Sequence, residues 1–145
     1  MSLVNHVGLT VSNLDASVAF YRDLVGMEVW LPRSSTGGPW FDTLTGSDRA
    51  AIDVVMLRAG GLVLQLVEYR SGGNPAAGTG HSRVGNLHLS INVDDVEAAH
   101  LRLSAADGHD PTPIVDLPVP GFRSFYGRDP DGVPVEFVQA GRAEG

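Results

Sequence analysis

The second half of this chain repeats the first, and that repeat limits its possible folds more than any other feature of the sequence. Laid beneath the opening residues, Asn86-Leu87-His88-Leu89-Ser90-Ile91-Asn92-Val93-Asp94-Asp95-Val96-Glu97-Ala98 puts His88 under His6, Val93 under Val11 and Val96 under Leu14, an offset of 82 residues. Nearer the end, Asp131-Gly132 falls under Gly60-Gly61 and Glu136 under Gln65, an offset of 71. A period of this length means one supersecondary unit used twice. The fall in offset places a shorter middle in the second copy and a larger loop in the first.

The repeated unit can be read from its periodicities. Asn5 to Val11 alternates Val7, Leu9 and Val11 with His6, Gly8 and Thr10, the pattern of a half-buried strand. Ser12-Asn13-Leu14-Asp15 offers capping side chains, Val18, Tyr21 and Leu24 recur at helical spacing over Ala16 to Leu24, and Gly26 supplies a stop. Met27 to Pro32 then reads as a strand, Ser34 to Pro39 as a mobile loop, and Ile52 to Leu57 as a strand that turns at Gly60-Gly61 into Leu62 to Tyr69. The expected order is βαβββ, twice. The fold class is α+β, one domain over 1–145, with a first module at about 3–70, a Gly- and Ser-rich connector at 71–80 and a second module at about 84–140.

Composition excludes several classes of function. A net charge of −7 with no run of Lys or Arg argues against nucleic acid and against anionic membranes. The start has no basic stretch leading into an apolar one, and no apolar run is long enough to span a bilayer, so a cytoplasmic protein is expected. With no cysteine, disulfides and thiolate metal sites are out, and any metal must be held by nitrogen and oxygen.

Four polar residues at equivalent places in the two copies point to such a metal. Gln65 sits in Leu62-Val63-Leu64-Gln65-Leu66-Val67, and Glu136 in Val133-Pro134-Val135-Glu136-Phe137-Val138; either one buried without a partner would cost several kcal/mol. A divalent cation taking nitrogen from His6 and His88 and oxygen from Gln65 and Glu136 satisfies all four. One carboxylate leaves such a site net cationic and suited to an anionic substrate or intermediate. The sulfur-free set suits Co, Mn, Ni, Fe or an expanded Zn site. Glu68 lies three residues beyond Gln65 and so points to the other face of its strand. His81, His100 and His109 are read as solvated, Phe20, Tyr21 and Leu24 as packing, and Asp129-Pro130-Asp131-Gly132 as turn chemistry. Trp40 and Phe41, in the long first-half loop, are read as an apolar substrate wall, or else as anchors of that loop to the core.

Three phrases carry a resemblance: Asn5-His6-Val7-Gly8-Leu9-Thr10-Val11, Ser17-Val18-Ala19-Phe20-Tyr21-Arg22-Asp23-Leu24-Val25-Gly26-Met27, and Phe125-Tyr126-Gly127-Arg128-Asp129-Pro130-Asp131-Gly132-Val133-Pro134-Val135-Glu136. Over nearly the whole chain they resemble the vicinal oxygen chelate superfamily of glyoxalase I, methylmalonyl-CoA epimerase, extradiol dioxygenases and the fosfomycin and bleomycin resistance proteins. The resemblance implies an incomplete barrel of two βαβββ modules around one metal, with a ligand on the first and last strand of each module, and a homodimer. The set His6, Gln65, His88, Glu136 is most similar to that of methylmalonyl-CoA epimerase.

The implied activity is that of a metal-dependent lyase or isomerase. A small substrate chelated through two neighbouring oxygens would lose a proton to form a stabilised enolate. Two carboxylates are assigned to catalysis, Glu136, which is also a ligand, and Asp53, which stands where the epimerase-like proteins carry a glutamate and is expected as the base. In the repeat Asp53 is set over Ser124, and the neighbouring Arg123 is a candidate for holding a substrate carboxylate or phosphate, or else a surface ion pair. An Fe(II) ring-cleaving dioxygenase is the runner-up, and Gln65 counts against it. A resistance protein that binds its drug without metal is the third possibility, and the intact ligand set counts against that.

Overall fold

The computed structural model describes residues 1–74 and 78–141 and divides into two compact units, Met1–Ala76 and Ala77–Gly145. The boundary falls in the Gly- and Ser-rich stretch, whose residues 75–77 lie outside the described residues.

The first module runs β1 (Val7–Thr10), α1 (Leu14–Ala19, continued by a π-helical turn Phe20–Leu24), β2 (Glu28–Gly37), α2 (Pro39–Thr45), β3 (Ala51–Ala59) and β4 (Leu62–Ser71). Its sheet has the order β1-β4-β3-β2, with β1 parallel to β4 and the other pairs antiparallel. Asn13 caps α1, its Oδ1 accepting the Ala16 N–H at 3.0 Å. The helix packs on β3 and β4. Leu14, Phe20 and Tyr21 are buried, as are Val55, Leu57, Leu64 and Leu66 at alternate strand positions.

The expected loop at Ser34–Pro39 is not a loop. β2 extends to Gly37, crossing two irregularities between Val29 and Ser34 that accommodate Pro32 on an edge strand. Pro39 then opens α2, where its missing N–H is no loss, and left-handed Gly46 closes the helix. The helix is held by Phe41, which packs with Ala50, Ile52 and Val54. Asp42 also holds it, its two carboxylate oxygens accepting the Arg49 and Ala50 N–H groups at 3.0 and 2.9 Å.

The second module runs β5 (Leu89–Asn92), α3 (Val96–Ala105), β6 (Val115–Asp116), β7 (Arg123–Arg128) and β8 (Pro134–Gln139), in a sheet ordered β5-β8-β7-β6. It is the same βαβββ unit: β5 is parallel to β8, and Asp95 caps α3 as Asn13 caps α1, its Oδ1 accepting the Ala98 N–H at 2.9 Å. Val96, Ala99 and Leu103 on α3 are fully buried, and α3 packs on β7 and β8. Phe125 and Phe137, on neighbouring strands, stack at 4.9 Å. Neither four-stranded sheet closes on itself.

Pairing registers place the repeat more finely than the sequence does. Gly8 pairs with Gln65, and Ser90 with Glu136, so β1 maps to β5 at 82 and β4 to β8 at 71. Met56, however, pairs with Gln65, and Tyr126 with Glu136, so β3 maps to β7 at 70. The difference is one extra residue in the second module's hairpin. Gly60-Gly61 joins the first pair, whereas Asp129 N–H bonds Val133 O at 2.9 Å around the three residues Pro130 to Gly132. Asp53 therefore lies over Arg123 rather than Ser124, and Ser124 lies over Val54.

Candidate functional site

His6 immediately precedes β1 and His88 immediately precedes β5, each beside the parallel last strand of its module. In β4 the residues at Gln65, Val67 and Tyr69 share one face, and across the ladder so do Ile52 and Val54, all of which line a cavity of about 470 Å³. His6 and Gln65 both line this cavity, together with Trp40 and Phe41. Gly8 lies beside the amide, where a Cβ would be in ordinary contact with Gln65 Oε1 at 3.8 Å. His6 Nδ1 stands 2.6 Å from Asn5 Oδ1, a bond in which Nδ1 donates and Nε2 keeps its lone pair.

In the second module His88 Nε2 faces Glu136 Oε2 at 3.8 Å, too long for a hydrogen bond. The other carboxylate oxygen is held by Ser124, whose hydroxyl donates to Oε1 at 2.9 Å. Tyr126 Oη lies 3.2 Å from His88 Nε2, and its pKa is raised first by burial and then by the charge of Glu136. His81, expected to be solvated, stands with its ring 4.3 Å from that of Tyr126 and 5.4 Å from that of His88. It comes from the segment 78–88, where no periodicity marks a place for it. His100 and His109 are also held, against Thr112 O at 3.0 Å and Arg128 O at 2.8 Å.

The predicted ligands thus stand in two pairs, His6 with Gln65 and His88 with Glu136. Among the described residues no three His, Asp or Glu side chains are grouped to hold a metal, and within each module the predicted ligands form a pair. The pairs fit a cation in their chemistry. One imidazole nitrogen has its lone pair free, the second faces a carboxylate oxygen across a gap no proton bridges, and nitrogen and oxygen are the only donor types.

Two predicted residues stand elsewhere. Asp53 pairs across the ladder with Glu68, three residues from Gln65, and therefore lies on the face opposite the cavity. There it is almost fully buried and held by Ser35 Oγ at 2.6 Å, Arg70 Nε at 2.9 Å and Arg33 Nη1 at 3.6 Å. A carboxylate clamped on the wrong face is not the base for chemistry at Gln65. The signal was available: a two-residue turn at Gly60-Gly61 fixes the pairing, and with it the face of every β3 residue. Arg123, over Asp53 in the repeat, is likewise on the face away from Glu136. It pairs with Glu97 at 3.0 Å and Asp116 at 3.6 Å, as the surface ion-pair alternative has it.

Residues 3–137 match the model of the Glyoxalase/Bleomycin resistance protein/Dioxygenase superfamily. The chain belongs to this superfamily. A 2-epi-5-epi-valiolone epimerase from Actinomyces sp is 33% identical over 142 residues, 93% of this chain and 78% of that protein. Among solved structures, a glyoxalase family protein from Bacillus cereus has a TM-score of 0.84 at 19% identity, covering 94% of this chain and 92% of its own. A lactoylglutathione lyase from Agrobacterium tumefaciens has a TM-score of 0.60 at 27% identity, covering 96% and 94%. Among the described residues no helix is long and apolar enough to cross a membrane.

Proposed function

We propose that this superfamily member is a divalent-metal-dependent epimerase or related isomerase or lyase. It would act on a small molecule at the carbon beside a carbonyl, with His6, Gln65, His88 and Glu136 together holding one ion. The observation that carries this is the matched register: each module sets a histidine just before its first strand and an oxygen donor opposite that strand on its last, at offsets of 82 and 71. The epimerase relative at 33% identity and the lactoylglutathione lyase at 27% support proton transfer next to a carbonyl as the reaction class.

When bound, the cation would supply a Lewis acid that polarises two neighbouring substrate oxygens and acidifies the adjacent C–H. Asn5 fixes the tautomer of His6, and Ser124 holds one oxygen of Glu136 so that the other is presented. Tyr126, its proton retained by burial, can donate a hydrogen bond from Oη to an oxygen that gains charge. Asp53 has no part in proton transfer.

Metal analysis of the full chain purified without chelator, then reloaded separately with Mn, Co, Ni and Zn, tests this. One ion per chain is expected in the wild type, and both Gln65→Ala and His88→Ala should weaken its retention at least tenfold. Loss in only one of these variants would show that the two pairs do not share an ion. A folded wild type that takes up none of the four metals overturns the proposal.

A further inference from the structure

The segment between the connector and β5 is tied down along its length. The Asn86 side-chain amide donates to Gly78 O at 3.1 Å and to Gly80 O at 3.2 Å, Asn86 N–H bonds Arg83 O at 3.1 Å, and Arg83 N–H bonds Gly80 O at 3.2 Å. Thr79 fixes this loop to the hairpin that follows β7, its hydroxyl donating to Asp131 O at 3.4 Å.

His81 is the residue this loop sets against the second donor pair. Its ring lies 4.3 Å from that of Tyr126, at 85°, and 5.4 Å from that of His88, at 63°, while the His88 and Tyr126 rings are themselves 5.4 Å apart. Three rings thus pack edge to face around the point where Tyr126 Oη stands 3.2 Å from His88 Nε2. Neither nitrogen of His81 has a hydrogen-bond partner among the described residues, so its hold on Tyr126 is through the ring itself. A half-buried phenol on a strand face can swing between staggered rotamers unless something packs against it. A cation bound by His88 takes up the lone pair that Oη now faces. The phenol then depends on its packing to stay in place, and its hydroxyl is free to donate to a bound oxygen. Met56 holds the equivalent place in the first module and offers no O–H.

We infer that His81 is a positioning residue: its ring holds Tyr126 where the phenol can donate to the substrate oxygen that gains charge, and the segment 78–88 is thereby part of the site rather than a linker. The inference rests on the metal-site reading above and goes beyond it by giving a role to a residue that stands on no strand. The place asks for a ring, so phenylalanine should serve there and asparagine should not.

Two measurements on the full chain test this. The first is NMR of the metal-free protein with 13C-labelled tyrosine rings, in which the Tyr126 signal is identified by its loss in Tyr126→Phe. That signal should move toward the position of an unpacked tyrosine in His81→Ala and His81→Asn, and should stay displaced from it in His81→Phe. The second is calorimetric titration of the zinc-loaded chain with acetohydroxamate, which chelates through two neighbouring oxygens. Affinity should fall about tenfold in Tyr126→Phe and about fivefold in His81→Ala and His81→Asn, with most of the loss recovered in His81→Phe. Added to Tyr126→Phe, His81→Ala should cost less than about twofold more, because it acts through the phenol. Zinc content should not change in the His81 variants. An unmoved Tyr126 signal in His81→Ala, no rescue by His81→Phe, or an additive double variant each overturns the inference. Loss of zinc in His81→Ala also overturns it, by making His81 a ligand. A Tyr126 signal that depends on His81 in a chain that takes up no metal would sink the metal reading and leave His81 as the support of Tyr126.

Discussion

The two modules share strand order, capping and the placing of one histidine and one oxygen donor, yet they differ in what lies between helix and hairpin. The first spends that length on a ten-residue β2 and on α2, and so builds an apolar cavity walled by Trp40 and Phe41. The second has only the two-residue β6, but it surrounds its donor pair with Ser124, Tyr126 and His81. A duplicated unit has divided its labour: one copy shapes a space, and the other arranges polar groups around a carboxylate.

The sharpest way to break this contrast is to remove the anchor of α2, which has no counterpart in the second module. Phe41→Ala should lower unfolding stability by about 3 kcal/mol in denaturant titration, because a large buried aromatic is lost from its cluster with Ala50, Ile52 and Val54. A loss under about 1 kcal/mol would mean that α2 is held by its polar ties alone.

Next come the equivalent positions Asp53 and Arg123. Asp53→Asn leaves Arg33 and Arg70 facing an uncharged amide in a nearly buried place, and should cost about 2 kcal/mol while leaving metal content unchanged. Arg123→Ala removes half-exposed ion pairs and should cost about 0.5 kcal/mol. Loss of metal or of proton exchange in Asp53→Asn without loss of stability would return Asp53 to the site.

The smallest effect sharpens the comparison of the helices. Ser17 on α1 and Ala99 on α3 occupy matching, fully buried positions, and among the described residues the Ser17 hydroxyl has no partner. Ser17→Ala should therefore stabilise by about 1 kcal/mol and Ala99→Ser destabilise by about as much. Two changes of the same sign would show that the two helix seats are not equivalent.

Much of this was legible in the sequence because the repeat reports itself twice. Alternation at Val7, Leu9 and Val11, capping at Asn13, and the polar residues Gln65 and Glu136 among apolar neighbours all match the structure's strands, cap and ladder positions. Residues 34–45 misled for a physical reason: Ser, Thr, Gly and Pro have the composition of a loop, and α2 forms because Phe41 finds a core, which is a tertiary effect. The role of Asp53 was lost to parity, since its distance from Gln65 has meaning only through the register of the hairpin between them. His81 lies in a segment without periodicity, and only its neighbours in space give it a context.

That hairpin has a wider consequence. One extra residue between Asp129 and Val133 shifts the numbering of β7 by one against that of β8 while the ladder pairs, and with them every inward side chain, keep their places, because the turn absorbs the insertion. Insertions at such a turn are nearly silent in the fold, yet they shift which residues inherit which ancestral post. Anyone recombining the two halves, or rebuilding the chain as a symmetric pair, would have to cut at the hairpin and count from each side of it separately. A splice made with one uniform offset would deliver Ser124 to the seat of a buried, doubly paired aspartate.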